Sequence, residues 1–451
     1  MRHIPKNFAP GAAAGVALAW IALSAAFSVV ALASAPKTPA PSNTRGFRGP
    51  FYNGIFPAGE LLDEWPEDGP RELWSITGLG RGFSAPTITP ETIYCAGMHG
   101  SDGYLYAYDH DGNLKWKKTY GKDFTASGRF QGPRATPSVT EDGKYIVIAS
   151  GRKPWRRVAC FTPEGEELWN VELNKRHGGK AQGWGYNESP PVHNGKVFVT
   201  LRSKDKECPP VVALDIKTGE TVWKADVEEG DLSAGDGSAT IVDTGKRKLL
   251  IAPLWRGILC LDPDSGKKIW RFWIKKGGFS AVYKDGYLFM QNAQTPEERK
   301  EGEGIGKGTM MLRLKPDGSY EKLWISRLGP NYGKTVILDG KVFFFSGEKR
   351  GASLAALDRE TGKLLKKVHM PGGCATAAAD GKLVVLEGGE YRHKNTRLSL
   401  VKPTDDGFEI VSQFKPRQGT LEVWTHPVFY GGRMYLRHGD RLTCYDVSKQ
   451  K

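Results

Sequence analysis

The chain has 451 residues, a net charge of +14, 39% hydrophobic and 11% aromatic residues. Its 56 glycines suit a fold with many tight turns, and runs of helix-forming residues are scarce. The lysines and arginines are scattered through predicted turns and form no basic stripe with stacking aromatics, so the composition argues against nucleic-acid binding.

The first 35 residues have the pattern of a secretory signal. Arg2 and Lys6 precede an uncharged, Ala-rich run at 11–35 that ends in "ALASA", and cleavage after Ala33 fits the small-x-small rule. The alternative is a retained membrane anchor, because 25 uncharged residues are long enough to span a bilayer. Either alternative predicts export, to the periplasm or cell envelope of a bacterium.

Residues 36–70 are predicted to be a Pro-rich linker and a lead-in segment. The stretch "PKTPAPSNTRG" at 36–46 has the composition of a semi-rigid spacer, which would let the following domain stand off from the processing site or membrane. The remaining residues, 71–451, are predicted to form one domain.

A strand–turn–strand unit recurs through this domain. In "PVVALDIKTGETVW" at 210–223, an apolar strand ends in Asp215, a turn follows at Gly219, and a second strand carries Trp223. The unit returns at intervals of about 48 residues, a period that indicates a propeller or a solenoid. Most copies keep the tryptophan, and we predict a structural docking role for Trp74, Trp116, Trp169, Trp223, Trp270 and Trp324.

Each repeat also begins alike, with two short strands around a Gly-containing turn, as in "SPPVHNGKVFVTL". Four strands per repeat and no crossover helix make one propeller blade, and a β-solenoid is the alternative. The last repeat lacks its outer strand, whereas "RELWSITG" carries Trp74 with no inner strands before it. Pairing the two leaves no bare edge, so we predict an all-β, eight-bladed β-propeller closed by an N-terminal strand.

The repeated residues have structural tasks. The Asp of each turn can accept backbone N–H bonds, the Gly supplies a positive φ angle, and the Trp can reach the next blade. Two weaker copies place Lys366 and Val411 where the tryptophan should stand. Cys160, Cys260 and Cys444 share one small-residue position in non-adjacent blades, which indicates buried packing residues, not disulfides.

At these residues the chain resembles the tryptophan-docking repeat of the pyrroloquinoline-quinone (PQQ) dehydrogenases and of the outer-membrane assembly factor BamB. "FRGPFYNG", "LLDEWP" and "GWGYNESPPV" are similar to an exported, BamB-like branch of PQQ-like propellers. The dehydrogenases resemble one another in an adjacent cysteine pair, a calcium ion held by Glu and Asn, and an Asp base. This chain has no adjacent cysteines and no Asp assignable as the base, so we expect no cofactor; PQQ with calcium is the alternative.

Three non-repeated segments, "RFQGPRATP", "GWGYNESP" and "EVWTHP", lead into inner strands and are predicted to line one mouth of the central channel. Asn187 and Glu188 come closest to the dehydrogenase calcium pair. In the alternative interpretation, these residues only plug the channel. No catalytic residue and no metal ligand is assigned. The candidate ligand or partner site comprises Arg129, Gln131, Arg134, Trp184, Tyr186, Asn187, Glu188, Trp424 and His426.

These features favour an exported, non-catalytic propeller that acts as a protein–protein interaction scaffold at the cell envelope. We expect a monomer with a protein partner, and membrane contact only through an uncleaved N-terminal segment. The basic net charge suits an acidic partner face. A PQQ-dependent oxidoreductase or PQQ-binding protein is the alternative function, followed by a hydrolase or a sugar-binding propeller.

Overall fold

Eight β-sheets follow one another along the chain, and each forms one blade. Four strands run antiparallel in each blade, as the alternating apolar pattern and the Gly-containing turns predict. The computed structural model describes residues 43–125, 130–152, 155–178, 187–202, 208–227, 234–274, 278–291, 293–294, 308–347, 351–370, 372–388, 396–420 and 423–449.

Before the first blade lie β1 (Ile55–Phe56) and β2 (Arg71–Ile76). Blades 1 to 4 follow, each from its inner to its outer strand. Blades 1 and 2 consist of β3 (Thr87–Ile88), β4 (Ile93–His99), β5 (Asp102–Tyr108), β6 (Leu114–Lys122), β7 (Ser138–Val139), β8 (Ile146–Arg152), β9 (Trp155–Phe161) and β10 (Glu167–Glu172), with α1 (Leu173–His177) after β10. Blades 3 and 4 consist of β11 (Val192–His193), β12 (Lys196–Thr200), β13 (Val211–Asp215), β14 (Thr221–Lys224), β15 (Thr240–Asp243), β16 (Lys248–Leu254), β17 (Gly257–Leu261) and β18 (Lys268–Ile274).

Blades 5 to 8 repeat this order, and a fifth strand is added at the outer edge of blade 4. Blades 5 and 6 consist of β19 (Val282–Lys284), β20 (Tyr287–Gln291), β22 (Thr309–Leu314), β23 (Tyr320–Ser326), β24 (Pro330–Leu338), β25 (Lys341–Ser346), β26 (Ser353–Asp358) and β27 (Leu364–His369), and β21 (Ala293–Gln294) pairs with β18. Blades 7 and 8 consist of β28 (Ala375–Ala379), β29 (Lys382–Glu387), β30 (Arg397–Thr404), β31 (Gly407–Phe414), β32 (Val428–Tyr430), β33 (Arg433–His438) and β34 (Arg441–Asp446).

Blade 8 takes its outer strand from the other end of the chain. Strand β2 pairs antiparallel with β34, with Trp74 opposite Cys444 and Arg71 opposite Asp446. The predicted closure by an N-terminal strand, and with it the eight-bladed all-β propeller, is therefore confirmed. The helix of the described part, α1, has five residues, so no helix there is long enough to cross a bilayer.

Tryptophans join six consecutive pairs of blades, from blade 8 through blade 1 to blade 6. Each indole N–H donates to a backbone carbonyl in the turn between the third and fourth strands of the next blade. In the junction between blades 2 and 3, the Trp169 ring also lies over Gly219, whose φ is 70° and whose added Cβ would approach the ring to 2.7 Å. The six donor–acceptor distances are Trp74–His110 2.8 Å, Trp116–Pro163 2.8 Å, Trp169–Ile216 2.8 Å, Trp223–Pro263 3.1 Å, Trp270–Gly318 3.0 Å and Trp324–Arg359 2.8 Å.

The turns behave as their sequence predicts. In the unit around Asp215, one carboxylate oxygen accepts the backbone N–H groups of Lys217 and Thr218, both at 2.9 Å. The six cysteines are buried, in agreement with the interpretation of Cys160, Cys260 and Cys444 as packing residues. Burial raises the pKa of Cys160 to about 12, so this thiol stays protonated at neutral pH.

One alignment from the sequence is corrected. Each outer strand carries a β-bulge just before its docking position, and in blade 7 the residue opposite Leu400 is therefore Ser412, not Val411. In blade 5 the residue opposite Trp324 is Met311. A one-residue bulge changes which side chain faces the neighbouring blade, and the spacing alone does not reveal it.

Residues 43–56, which we call the channel segment, lie against the inner strands of several blades. The Thr44 N–H donates to Ile88 O at 2.8 Å, the Val139 N–H donates to Arg45 O at 2.9 Å, and β1 pairs in parallel with β28. Most of these contacts fall at the carboxyl ends of the inner strands. Residues 43–46, which fall within the predicted spacer, are thus bound to the ring, because their backbone groups complete the ends of inner strands.

Arg48 anchors the channel segment. Its side chain is buried, and its guanidinium donates to the carbonyls of Asn53 (3.0 Å) and Thr335 and to His426 Nε2 (3.0 Å). Burial lowers the pKa of Arg48 to about 10, so the group remains charged at neutral pH.

Candidate functional site

The predicted site residues that the structure describes lie just before inner strands β7, β11 and β32, at the end of the channel where the inner strands begin. We call this end the mouth. Arg129, Trp184 and Tyr186 lie outside the described residues. The described members are Gln131, Arg134, Asn187, Glu188, Trp424 and His426.

A belt of hydroxyl groups fixes the strand entries around the mouth. Backbone N–H groups donate to the next blade: Thr136 to Ser189 Oγ at 2.8 Å, and Ser189 to Ser238 Oγ at 2.9 Å. The belt continues from Ser238 to Ser280 Oγ at 2.8 Å and begins with Ala85 donating to Thr136 Oγ1 at 3.3 Å. The sequence does not reveal this role of the hydroxyl groups, since each bond joins residues of different repeats.

Glu188 is buried against the end of β12. Its carboxylate is 1% exposed and accepts the backbone N–H of Thr200 at 3.1 Å and the Thr200 hydroxyl at 2.9 Å. Arg156 Nη2 lies 3.4 Å from the same carboxylate and is equally buried. A cation bound here would compete with these donors and sit beside a guanidinium charge, so Glu188 does not fit the role of calcium ligand.

The Asn187 side chain bonds to a different residue, Asp236. Its Nδ2 donates to Asp236 Oδ1 at 3.2 Å, and burial raises the pKa of Asp236. Asn187 and Glu188 are therefore adjacent in sequence but do not converge on one ligand position. Among the residues that the structure describes, no group of three His, Cys, Asp or Glu side chains could hold a metal ion.

His426 belongs to the contact with the channel segment. Its Nε2 lies 3.0 Å from Arg48 Nη1, and its ring packs edge-on against Phe47 with centroids 5.4 Å apart. Because a guanidinium can only donate, Nε2 must accept, which assigns the ring proton to Nδ1. This geometry indicates a positioning role for His426 and not that of a base.

Arg134 and Trp424 come together in an aromatic cluster, which we call the mouth cluster. The Trp424 ring stacks on Phe130 (5.2 Å, 9°) and contacts Phe83 (4.9 Å). The Arg134 guanidinium carbon lies 4.7 Å from the Phe124 centroid and 5.6 Å from that of Phe83, and its Nη2 donates to Phe130 O at 2.7 Å. All five side chains thus form one contiguous group.

Two donors of this cluster lack a partner among the described residues. Arg134 Nη1 and Trp424 Nε1 are both buried, and neither makes a hydrogen bond. Burial lowers the pKa of Arg134 to about 10, opposed by the charges of Asp123 and Asp236, so the guanidinium stays protonated at neutral pH. The Asp123 carboxylate is itself occupied, since it accepts from the Tyr120 hydroxyl at 2.7 Å.

Gln131 lies at the edge of the mouth cluster. Its Oε1 accepts from Arg81 Nη1 at 2.9 Å and its Nε2 donates to Thr125 O at 3.0 Å. Phe83 was missed in the sequence, although "RGFSAP" precedes the first inner strand as "RATP" precedes the second. That equivalence is the signal that could have identified it.

The fold and its indole-to-carbonyl junctions define the class: an eight-bladed β-propeller with tryptophan-docked blades. Residues 155–252 match the family described as outer membrane protein assembly factor BamB. Together with the structural similarity below, this match confirms the predicted resemblance to PQQ-like β-propellers. No curated protein sequence matches the chain.

Among solved structures, BamB from Moraxella catarrhalis aligns with 84% of this chain and 99% of its own, at a TM-score of 0.58 and 17% identity. At that identity the similarity shows the fold alone. Sqt1 from Saccharomyces cerevisiae aligns with 87% of this chain and 100% of its own, at 10% identity and a TM-score of 0.46.

Proposed function

We propose that the protein is an exported, non-catalytic β-propeller that acts as a protein–protein interaction scaffold at the bacterial cell envelope. The observation that carries this proposal is that the chain's own residues 43–56 occupy the carboxyl ends of the inner strands. Arg48 of this segment bonds to His426 Nε2 and to the carbonyl of Thr335. Groups engaged in such internal bonds are not available to a substrate, whereas the loops that a rigid ring holds at its mouth present a fixed surface to a partner.

The BamB-like fold supports a partner that is a protein, and the predicted leader at 1–35 supports the envelope location. The rival function, a PQQ-dependent oxidoreductase, would need calcium ligands near the cofactor. The bonds of Glu188 to Thr200 and Arg156 weigh against that residue as one of them. We therefore keep the scaffold as the leading function.

Native mass spectrometry of the full chain with PQQ and Ca²⁺, combined with a dye-linked alcohol oxidation assay, tests this proposal. We expect neither stoichiometric PQQ uptake nor alcohol oxidation. Tight one-to-one uptake that disappears in Glu188→Gln would overturn the scaffold function.

A photo-crosslinking residue at Gln131, beside the mouth, provides the positive arm in cells. We expect a discrete protein adduct in the envelope fraction, absent when the same residue replaces Lys117 on the outer strand of blade 1. Equal adducts from both positions would mean that the mouth does not select a partner.

A further inference from the structure

The mouth carries positive charge next to aromatic rings at two places. The first is the mouth cluster, in which Arg134 lies against Phe83 and Phe124. The second lies at blades 3 and 4, where the Arg202 guanidinium carbon is 5.3 Å from the Trp255 ring centroid. Arg202 follows β12 and Trp255 lies between β16 and β17, so both are on the face of the ring where the inner strands begin.

Asp236 connects the two places. The positive charges of Arg202 and Arg134 both act on its carboxylate, although burial dominates and raises its pKa. The half-buried Asp236 carboxylate therefore lies among two arginines, and it accepts a hydrogen bond from the neutral amide of Asn187. Asp123 and Asp236, the carboxylates whose charges act on Arg134, already bond to Tyr120 and Asn187, so the Arg134 Nη1 donor is left for an added anionic ligand.

The unsatisfied donors of the mouth cluster indicate where such a ligand would be held. Arg134 Nη1 and Trp424 Nε1 are buried without a hydrogen-bond partner, and both groups pack on Phe83. An unmet buried donor is unfavourable, and a carboxylate, with several lone pairs, can satisfy two donors at once. Arg134 and Trp424 are each partly exposed, so the cluster reaches solvent.

The aromatic rings around these donors indicate that the ligand also has an apolar part. Phe130 stacks on Trp424 at 9°, and this flat aromatic pair offers contact area to an apolar side chain beside the carboxylate. A free inorganic anion would leave this surface uncovered. An acidic residue next to an apolar or aromatic one, in an extended chain, would fill both parts.

We propose that the mouth binds an extended acidic segment of a partner protein, with one carboxylate held by Arg134 and Trp424 and its apolar neighbour on the Phe130–Trp424 pair. The Arg202–Trp255 pair receives the next acidic residue along the segment. This proposal rests on the scaffold function and names the kind of partner that it recognises.

Fluorescence anisotropy with the full chain tests the proposal directly. The probe is a labelled, end-blocked peptide of three Glu-Phe units, and the matched control peptide has Gln in place of each Glu. We expect the acidic peptide to bind and the Gln peptide to bind about tenfold more weakly or not at all, with an affinity that falls as salt is added. Equal binding of the two peptides would overturn the proposal.

Variants locate the site. Arg134→Gln should weaken acidic-peptide binding about tenfold, and Trp424→Phe, which keeps the stacking and removes the N–H, should weaken it several-fold. Arg71→Gln, on the outer strand of blade 8, removes the same charge far from the mouth and should leave binding unchanged. If the melting curve shows that Arg134→Gln does not fold, Trp424→Phe still tests the site. Wild-type peptide affinity in a folded Trp424→Phe protein would show that the Trp424 N–H does not hold the carboxylate, which overturns the proposal.

The outcomes separate this proposal from the scaffold function. Absence of both peptide binding and PQQ uptake refutes the acidic-segment proposal and leaves the scaffold intact. Stoichiometric PQQ uptake that displaces the peptide, and is lost in Arg134→Gln, refutes both.

Discussion

The junctions between blades differ sharply on the two sides of the ring. From blade 8 through blade 1 to blade 6, an indole N–H bonds to the next blade at 2.8–3.1 Å. Between blades 6 and 7 the docking position holds Lys366, and between blades 7 and 8 it holds Ser412. The chain thus has six uniform junctions and a two-junction seam.

The lead-in segment stabilises the seam. The Trp65 ring packs edge-on against Phe414 at 5.2 Å, its backbone N–H donates to Ser412 Oγ at 2.9 Å, and its side chain is 4% exposed. Just before it, the Leu62 N–H donates to Val447 O in blade 8 at 2.9 Å. A tryptophan from outside the repeat thus covers the junction where the repeat lost its own, so the seam depends on a non-local segment that the other junctions do not need.

Removing the closing strand should have the largest effect on this arrangement. Deletion of residues 71–78 removes the β2–β34 ladder and Trp74, so we expect a loss on the order of 5 kcal/mol or more in unfolding free energy. The measurement is thermal and denaturant unfolding, and removal of residues 1–42 serves as the control. An unchanged melting curve would mean that the ring closes in another way.

Removal of a docking tryptophan should cause the second largest loss of stability. Trp223→Ala should destabilise by about 3–5 kcal/mol, because Trp223 is 9% exposed and loses its bond to Pro263 O. We expect losses of the same size at Trp116, Trp169 and Trp270. Leu114→Ala, on an outer strand and 54% exposed, is the matched control and should change stability by less than about 0.5 kcal/mol.

Substitution of Trp65 tests whether this tryptophan takes the place of the docking residue that blade 7 lacks. Trp65→Ala should cost about 3 kcal/mol if it replaces a docking residue, and Trp65→Phe, which keeps a ring against Phe414, should cost less. Chemical denaturation of both variants measures the difference. A loss below about 0.5 kcal/mol in Trp65→Ala would show that other contacts hold the seam.

A tryptophan introduced at the junction between blades 6 and 7 should increase the free energy of unfolding. The Lys366 side chain already lies over Gly407, as the indoles lie over glycines elsewhere. Lys366→Trp should therefore stabilise by about 1 kcal/mol, measured as a shift in the denaturation midpoint. Lys366→Leu is the control that adds apolar surface without an N–H donor. Destabilisation by Lys366→Trp would indicate that blade 7 does not leave room for the ring.

The smallest effect concerns pH at the closing strand. The Ser448 hydroxyl, followed by Arg71, lowers the pKa of Asp446. A lowered folded-state pKa gives stability that is present above the ordinary pKa and is lost as pH falls through the folded value. We expect about 0.5 kcal/mol, lost below about pH 4, since Arg71 is largely exposed. Asp446→Asn should remove this pH-dependent part, and an unchanged acid profile would contradict it.

The candidate site was only partly predictable. The segments that lead into inner strands predicted that Arg134 and Trp424 lie at one mouth, because strands that begin alike in a propeller begin at one end, and both side chains pack on Phe83. The same reasoning paired Asn187 with Glu188, yet their side chains serve Asp236 and Thr200. Side-chain direction in an irregular segment depends on which donors lie nearby, and those donors come from other repeats.

Local patterns in the sequence by themselves determined the blade count, the closing strand and the turn chemistry. Alternating apolar residues, an Asp–Gly turn and a tryptophan at a fixed offset act within a few residues, and their repetition allows one closed ring. Only the tertiary structure decided that Arg48 enters the channel to meet His426 and that Trp65 covers Ser412. These partners are 378 and 347 residues apart, and no periodic signal links them, because such contacts arise only once the ring has brought both chain ends together.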